Sequence, residues 1–208
     1  MIFRFLIVLL WAALWAAPDS AAQQLKQDIR ARYGESTTFT AHFNQHVTSA
    51  FLDSDERYSG RLWLRGPAYR VETGGQTIVS DGEHVWIHNI AEKQVLLSLA
   101  EDNSDDFSLV SFLSEFDTAY ESAERPDTTI QNQRLRTLEL TPTDPFATFQ
   151  TVTMWARPRD AAVVRLRVVD QSDVVMHFTL SDLDFPDELP DATFQFDIPD
   201  GVELVDLR

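Results

Sequence analysis

Alternation of apolar and polar residues is the feature that most restricts this chain. It begins at TFTAHFNQHV, where Phe39, Ala41, Phe43, Gln45 and Val47 interleave with Thr40, His42, Asn44 and His46. A period of two sends successive side chains to opposite faces of a β-strand, whereas an amphipathic helix repeats at about 3.6 residues. The distinction decides the fate of His42 and His46. On a helix this His-x-x-x-His spacing would place two imidazoles side by side for a zinc ion. On a strand they share a face but lie about 13 Å apart at roughly 3.3 Å per residue, too far to hold one ion. The stretch reads as a strand with apolar residues inward and histidines on its wet face, and no metal site is expected.

The same pattern recurs down the chain. In RYSGRLWLRGPAYRVE, Gly66-Pro67 separates Leu62 and Leu64 from Tyr69 and Val71. In QTIVSDGEHVWIHNIAEKQVLLSL, Asp81-Gly82 between two alternating runs predicts a two-residue type I′ hairpin turn, because such a turn needs positive φ at both positions. A second turn from Ile90 to Lys93 completes a three-stranded meander. Strand patterns resume in RLRTLELTP, FQTVTMWARP, AVVRLRVVD, VVMHFTLSDLDF and TFQFDIP. Two helices interrupt the series. One is Gln23 to Tyr33, with Leu25, Ile29 and Tyr33 four apart and Gly34 to end it. The other lies in EDNSDDFSLVSFLSEFDTAY, where Phe107, Val110, Leu113 and Phe116 recur every third residue behind an acidic cap.

The expected class is α+β, mainly antiparallel β: an incomplete β-barrel of about ten or eleven strands with helices covering the concave face, since a sheet that long must curl to bury one side. The helix bearing Phe107, Val110, Leu113 and Phe116 is the expected lid, and the space beneath it a pocket for something greasy. Its expected lining is Phe43, Leu62, Leu64, Tyr69, Val71, Ile78, Val85 and Ile87. Trp63 and Trp86 alternate with these and should face the other way.

Several functions are disfavoured. The opening MIFRFLIVLLWAALWAAPDSAA has one basic residue and an apolar run from Phe5 to Ala17, short of the roughly 20 residues that span a bilayer and shaped like a secretory leader. Residues 1–22 are expected to be cleaved, leaving a single domain over 23–208. There is no cysteine, hence neither a disulfide framework nor a lipid attachment point. With 33 acidic against 17 basic residues and a net charge of −16, nucleic acid and anionic surfaces are repelled, and no basic cluster is visible along the chain. Asp81 beside Ser80 is a turn residue, and His84, His88 and His177 fall on different expected strands. No triad, metal cluster or phosphate loop is recognisable, which argues against an enzyme and against a cofactor.

Taken in order, TFTAHFNQHV, GRLWLRGPAYRVE, TIVSDGEHVWIHNIAEKQV and ATFQFDIPDGVELVD resemble the periplasmic outer-membrane lipoprotein carrier family, LolA. The resemblance implies a half-barrel with a helical lid over an apolar cavity, and a soluble monomer of the periplasm. It implies as partners acylated lipoproteins, an inner-membrane ABC-type transporter that releases them, and an outer-membrane acceptor. In the family an arginine before the proline latches the lid; here that place is Gly66, and the flanking Arg65 and Arg70 are the candidates for the role. The alternatives are a related half-barrel acting as a lipid or glycolipid shuttle or an envelope-stress sensor and, with less support, an exported hydrolase.

Overall fold

The computed structural model describes residues 18–34, 37–49, 55–103, 112, 116 and 120–208. Helix α1 (Pro18–Arg32) leads into β1 (Thr38–Thr48), β2 (Glu56–Arg65), β3 (Ala68–Thr73), β4 (Gln76–Ser80), β5 (His84–Asn89) and β6 (Gln94–Leu99). After the segment that holds the expected lid come β7 (Tyr120–Ile130), β8 (Gln133–Pro142), β9 (Phe149–Ala156), β10 (Val163–Asp170), β11 (Val175–Asp184) and β12 (Glu203–Asp206). Among the described residues, these twelve strands form one sheet in the order β12-β6-β5-β4-β3-β2-β1-β11-β10-β9-β8-β7. Two antiparallel meanders, β1–β6 and β7–β11, are joined side by side through β1 and β11. The terminal strands β12 and β7 do not pair, so the sheet stays open: an incomplete barrel of the α+β class.

The count differs from expectation at three places, each for a physical reason. Strand β7 (YESAERPDTTI) has almost no apolar alternation because it is an edge strand whose residues are mostly exposed. Pro126 sits in its bulge between Arg125 and Thr128, where a missing N–H costs no ladder bond and blunts pairing with another chain. TFQFDIP is not a strand: Asp191–Phe194 is a 3-10 turn, and the chain then crosses the outer face of the first meander. There Phe194 is buried, the Arg65 guanidinium lies 4.6 Å from its ring centre, and Phe196 stacks on Trp86 at 6.5 Å. The edge of β6 is taken instead by β12, which pairs with it in parallel.

The Asp81 turn also differs in kind. Gly82 has a positive φ of 99° but Asp81 does not. Asp81 uses its carboxylate, accepting the N–H groups of Glu83 at 2.9 Å and His84 at 2.7 Å. The two-residue turn with both φ positive occurs between β7 and β8, at Gln131 (50°) and Asn132 (62°), where polar side chains tolerate the left-handed region better than branched ones.

One core joins both meanders to the helix. Ala22, Leu25, Ile29 and Tyr33 form the buried row of α1 and pack with Phe39, Leu138, Leu140, Met154, Leu166 and their neighbours. The helix begins at Pro18 and runs through the expected junction at Ala22–Gln23, with Ala22 itself buried. Its polar side is tied to the second meander: Lys26 donates to the Tyr120 carbonyl at 2.6 Å, and Arg136 pairs with Asp28 at 3.6 Å and Glu124 at 3.0 Å.

Candidate functional site

Registers across the first meander place the expected lining residues in rows on the concave face. Phe39, Leu64, Tyr69, Ser80, Val85 and Ser98 are cross-strand neighbours in one row. Ala41, Leu62, Val71, Ile78, Ile87 and Leu96 form the next. Phe43 follows, opposite Gly60 on one side and Leu180 on the other. Glycine is required there, because a Cβ at residue 60 would sit 2.9 Å from the Phe43 ring and 2.1 Å from the Glu72 carbonyl oxygen. The structure thus brings Phe43, Leu62, Leu64, Tyr69, Val71, Ile78, Val85 and Ile87 to one surface. The second meander continues it with Phe178, Leu166, Met154 and Leu138 in register. Trp86 faces outward, as the alternation predicts.

This surface is covered unevenly. At one end Tyr33 meets Phe39 edge-on at 5.3 Å and Phe185 at 5.8 Å, and its hydroxyl accepts the Val163 N–H at 3.0 Å. Burial pushes that hydroxyl well above the ordinary tyrosine range, so it stays neutral and closes the end as an apolar plug. Towards the other end burial fades: β1 changes from buried at Thr38–Ala41 to half-buried from Gln45 onward, and β2 from exposed at its start to buried at Leu62 and Leu64. Large apolar side chains stand open around that rim, with Tyr58 and Ile90 each 47% and Phe146 91% exposed. Burial fades sideways as well. Leu62 is buried, yet its row neighbours Val71, Ile78, Ile87 and Leu96 are half-buried.

Of the expected lid, Phe107, Val110 and Leu113 lie outside the described residues. Phe116 is buried, and so is Phe112. A helical bond from the Phe116 N–H to the Phe112 carbonyl (3.1 Å) and ring contacts of Phe112 with Phe116 (5.9 Å) and Tyr120 (5.7 Å) make an aromatic column at four-residue spacing. The spacing of three in the sequence pattern passes over Phe112; the i, i+4 series Phe112, Phe116, Tyr120 is the signal that finds it.

The two arginines considered for the latch both meet the C-terminal crossing. Arg65 donates to Asp191 at 2.6 Å and to the Leu189 carbonyl at 3.2 Å, while Arg70 holds Glu72 at 2.6 Å and the Thr193 carbonyl at 3.4 Å. Any contact with residues 104–111 lies outside the described residues.

Chemically the concave rows are plain. They contain no ionisable side chain apart from Tyr69, whose hydroxyl pKa burial raises. Among the described residues no three His, Asp or Glu side chains gather as metal ligands. His42 and His46 stand on β1, each beside its own carboxylate, Asp182 at 3.4 Å and Asp55 at 2.8 Å. The row of Ala41, Leu62, Val71, Ile78, Ile87 and Leu96 offers contact area without directional bonding.

An open antiparallel sheet, curved over an apolar face and plugged at one end by a helix, defines a half-barrel protein of the α+β class. Residues 34–197 match the family described as outer membrane lipoprotein carrier protein LolA, and the chain belongs to that family, whose members are carriers and not enzymes. It is similar to the outer-membrane lipoprotein carrier protein of Legionella pneumophila (strain Paris), with 26% identity over 209 residues, 97% of each chain. Over 80 residues it is 31% identical to the carrier of Pectobacterium carotovorum subsp. carotovorum (strain PC1), covering 36% of this chain and 39% of that one. Among solved structures, an uncharacterised conserved protein from Thermus thermophilus superposes with a TM-score of 0.61 at 13% identity, over 89% of this chain and 99% of the other. A DUF1329 family protein from Desulfovibrio piger gives 0.51 at 12% identity, over 86% and 98%. At those identities the likeness is one of fold.

Proposed function

We propose that this protein is a monomeric periplasmic carrier that shields the acyl chains of lipoproteins against its concave face. It collects them from an inner-membrane ABC-type transporter and delivers them to an outer-membrane acceptor. The observation that carries the reading is the row Val71, Ile78, Ile87 and Leu96: four apolar side chains in register, only half-buried, continuous with a sealed core. Half-covered apolar surface is costly unless something covers it. An acyl chain gains about 0.8 kcal/mol per methylene by leaving water, so one long chain supplies on the order of 10 kcal/mol. A row without polar side chains grips the shared acyl part of many cargoes and ignores their differing protein parts.

Native mass spectrometry of the protein recovered from a Gram-negative periplasm tests this. An adduct with the mass of an acylated lipoprotein supports the reading. A free phospholipid or glycolipid in its place moves the assignment to a lipid shuttle, and an adduct-free protein that takes up neither contradicts both.

A further inference from the structure

The outer face of the sheet carries a feature that the sequence hides. Across β2, β1, β11 and β10, Arg57, His46, His177 and Arg167 are successive cross-strand partners, a row of four basic side chains from strands remote in sequence. His46 and His177 stand with ring centres 6.5 Å apart. The same face holds Arg61 opposite His42, and Arg165 two positions from Arg167 on β10. The polar residues between them are Asn44, Ser59, Thr179 and Ser181. The acids beside this cluster are Asp55, which meets His46 and Arg57, Asp182, which meets His42, Glu72, which stands opposite Arg61 on β3 and pairs with Arg70, and Glu139, which lies two strands beyond Arg167 in the same row and pairs with Arg125.

The setting makes the cluster unusual. The whole chain carries −16, and five arginines elsewhere are matched to acids: Arg65 to Asp191, Arg125 to Glu139, Arg134 to Asp127, Arg136 to Glu124, Arg157 to Asp160. Arg165 and Arg167 make no ion pair among the described residues, although acids outnumber bases 33 to 17. His177 carries the mark of that crowding. Partial burial and then the charges of Arg167, His46 and Arg165 push its pKa below the ordinary histidine value.

We propose that this face is a docking surface for an acidic segment of a partner protein. Unpaired guanidinium groups bind carboxylates through paired, charge-assisted hydrogen bonds. The remaining surface repels such a partner, so approach is steered to this one face, an orienting effect of charge pattern more than of affinity. At physiological salt the Debye length is about 8 Å, so the local cluster governs contact despite the net charge. A protein partner fits better than a bilayer. The exposed large apolar side chains of the described residues are Tyr58, Ile90, Phe146, Ile198, Leu204 and Leu207, and none stands on this face, so nothing there would anchor in lipid. The surface lies opposite the apolar rows, and its assignment stands whether or not those rows hold acyl chains.

The test titrates the full chain with fluorescent poly-L-glutamate at about 0.1 M salt, beside phosphatidylglycerol vesicles. Binding of poly-L-glutamate that weakens about tenfold or more in Arg165→Glu/Arg167→Glu, and is lost at about 0.5 M salt, supports the proposal. The neutral pair Arg165→Gln/Arg167→Gln gives the same direction with a smaller loss, and serves if the charge-reversed protein does not fold. Three results overturn it: no binding by the unmodified protein, binding unchanged by either double substitution, or binding to the vesicles alone.

Discussion

Ile87 and Leu62 are neighbours in one row of the concave face yet should respond oppositely to substitution. Leu62 is 2% exposed, so Leu62→Ala leaves a cavity and should cost about 2–4 kcal/mol in urea unfolding, with ligand binding impaired only as far as the fold is loosened. Ile87 is half-buried, so a glutamate there reaches water: Ile87→Glu should cost about 1 kcal/mol or less while abolishing uptake of an acylated cargo in a fluorescent-acyl binding assay. If Ile87→Glu unfolds the protein, the row is sealed core. His42 and His46 make the contrasting case. Each stands on the wet side of β1, and changing both to glutamine should shift stability by no more than about 0.5 kcal/mol, with the melting temperature indifferent to zinc or chelator. A metal-dependent shift would restore the ion site that the strand geometry opposes. That Phe43, Leu62, Leu64, Tyr69, Val71, Ile78, Val85 and Ile87 share one face of the sheet was legible because period two needs no tertiary knowledge once one strand's inner face is known. Phe112 escapes that reading because a three-residue spacing and a four-residue spacing fit the same phenylalanine-rich stretch. The Arg57-His46-His177-Arg167 row was invisible because register, which no single run reveals, creates it.

At the scale of elements, strands with one buried side declared themselves and edges did not. β7 buries little on either face, so its sequence has no reason to alternate. The C-terminal TFQFDIP alternates for another reason: Phe194 and Phe196 reach the outer face from a crossing segment that makes no ladder of its own. Apolar alternation thus reports which side is buried, and not whether hydrogen bonds go to a strand neighbour. The edge argument can be tested at Pro126. Pro126→Val restores an N–H and a β-branched residue to an exposed edge, so unfolding free energy should change little while light scattering at high protein concentration rises. If the variant stays monomeric at every concentration, the proline is not guarding the edge.

For the whole molecule, the balance between local carboxylate pairing and global repulsion sets the pH response. Burial would raise Asp81 and Asp160, but backbone N–H groups from His84 and Glu83, and from Ala162 with Arg157, outweigh it and hold both below the ordinary carboxylate range. Asp206 is drawn down to about 2 by hydrogen bonds from Arg208. A carboxyl with a depressed pKa contributes its stability above its unfolded value and loses it as pH falls through the folded one. Stability measured by urea titration should therefore decline from about pH 4 downward. Around neutrality the charge of −16 disfavours the compact state, so added salt should raise the melting temperature, by roughly 2–4 °C for each kcal/mol of repulsion screened. A fall with salt would show that paired charges outweigh the repulsion. The central claim is that the open concave face carries acyl chains through water, and a release assay addresses it most directly. Inner-membrane vesicles bearing the ABC-type transporter and a labelled lipoprotein are incubated with ATP and the purified protein, then sedimented. The label is predicted to leave the pellet in a one-to-one soluble complex, and to stay in it with Ile87→Glu. Label that remains in the membrane with the unmodified, folded protein would contradict the account.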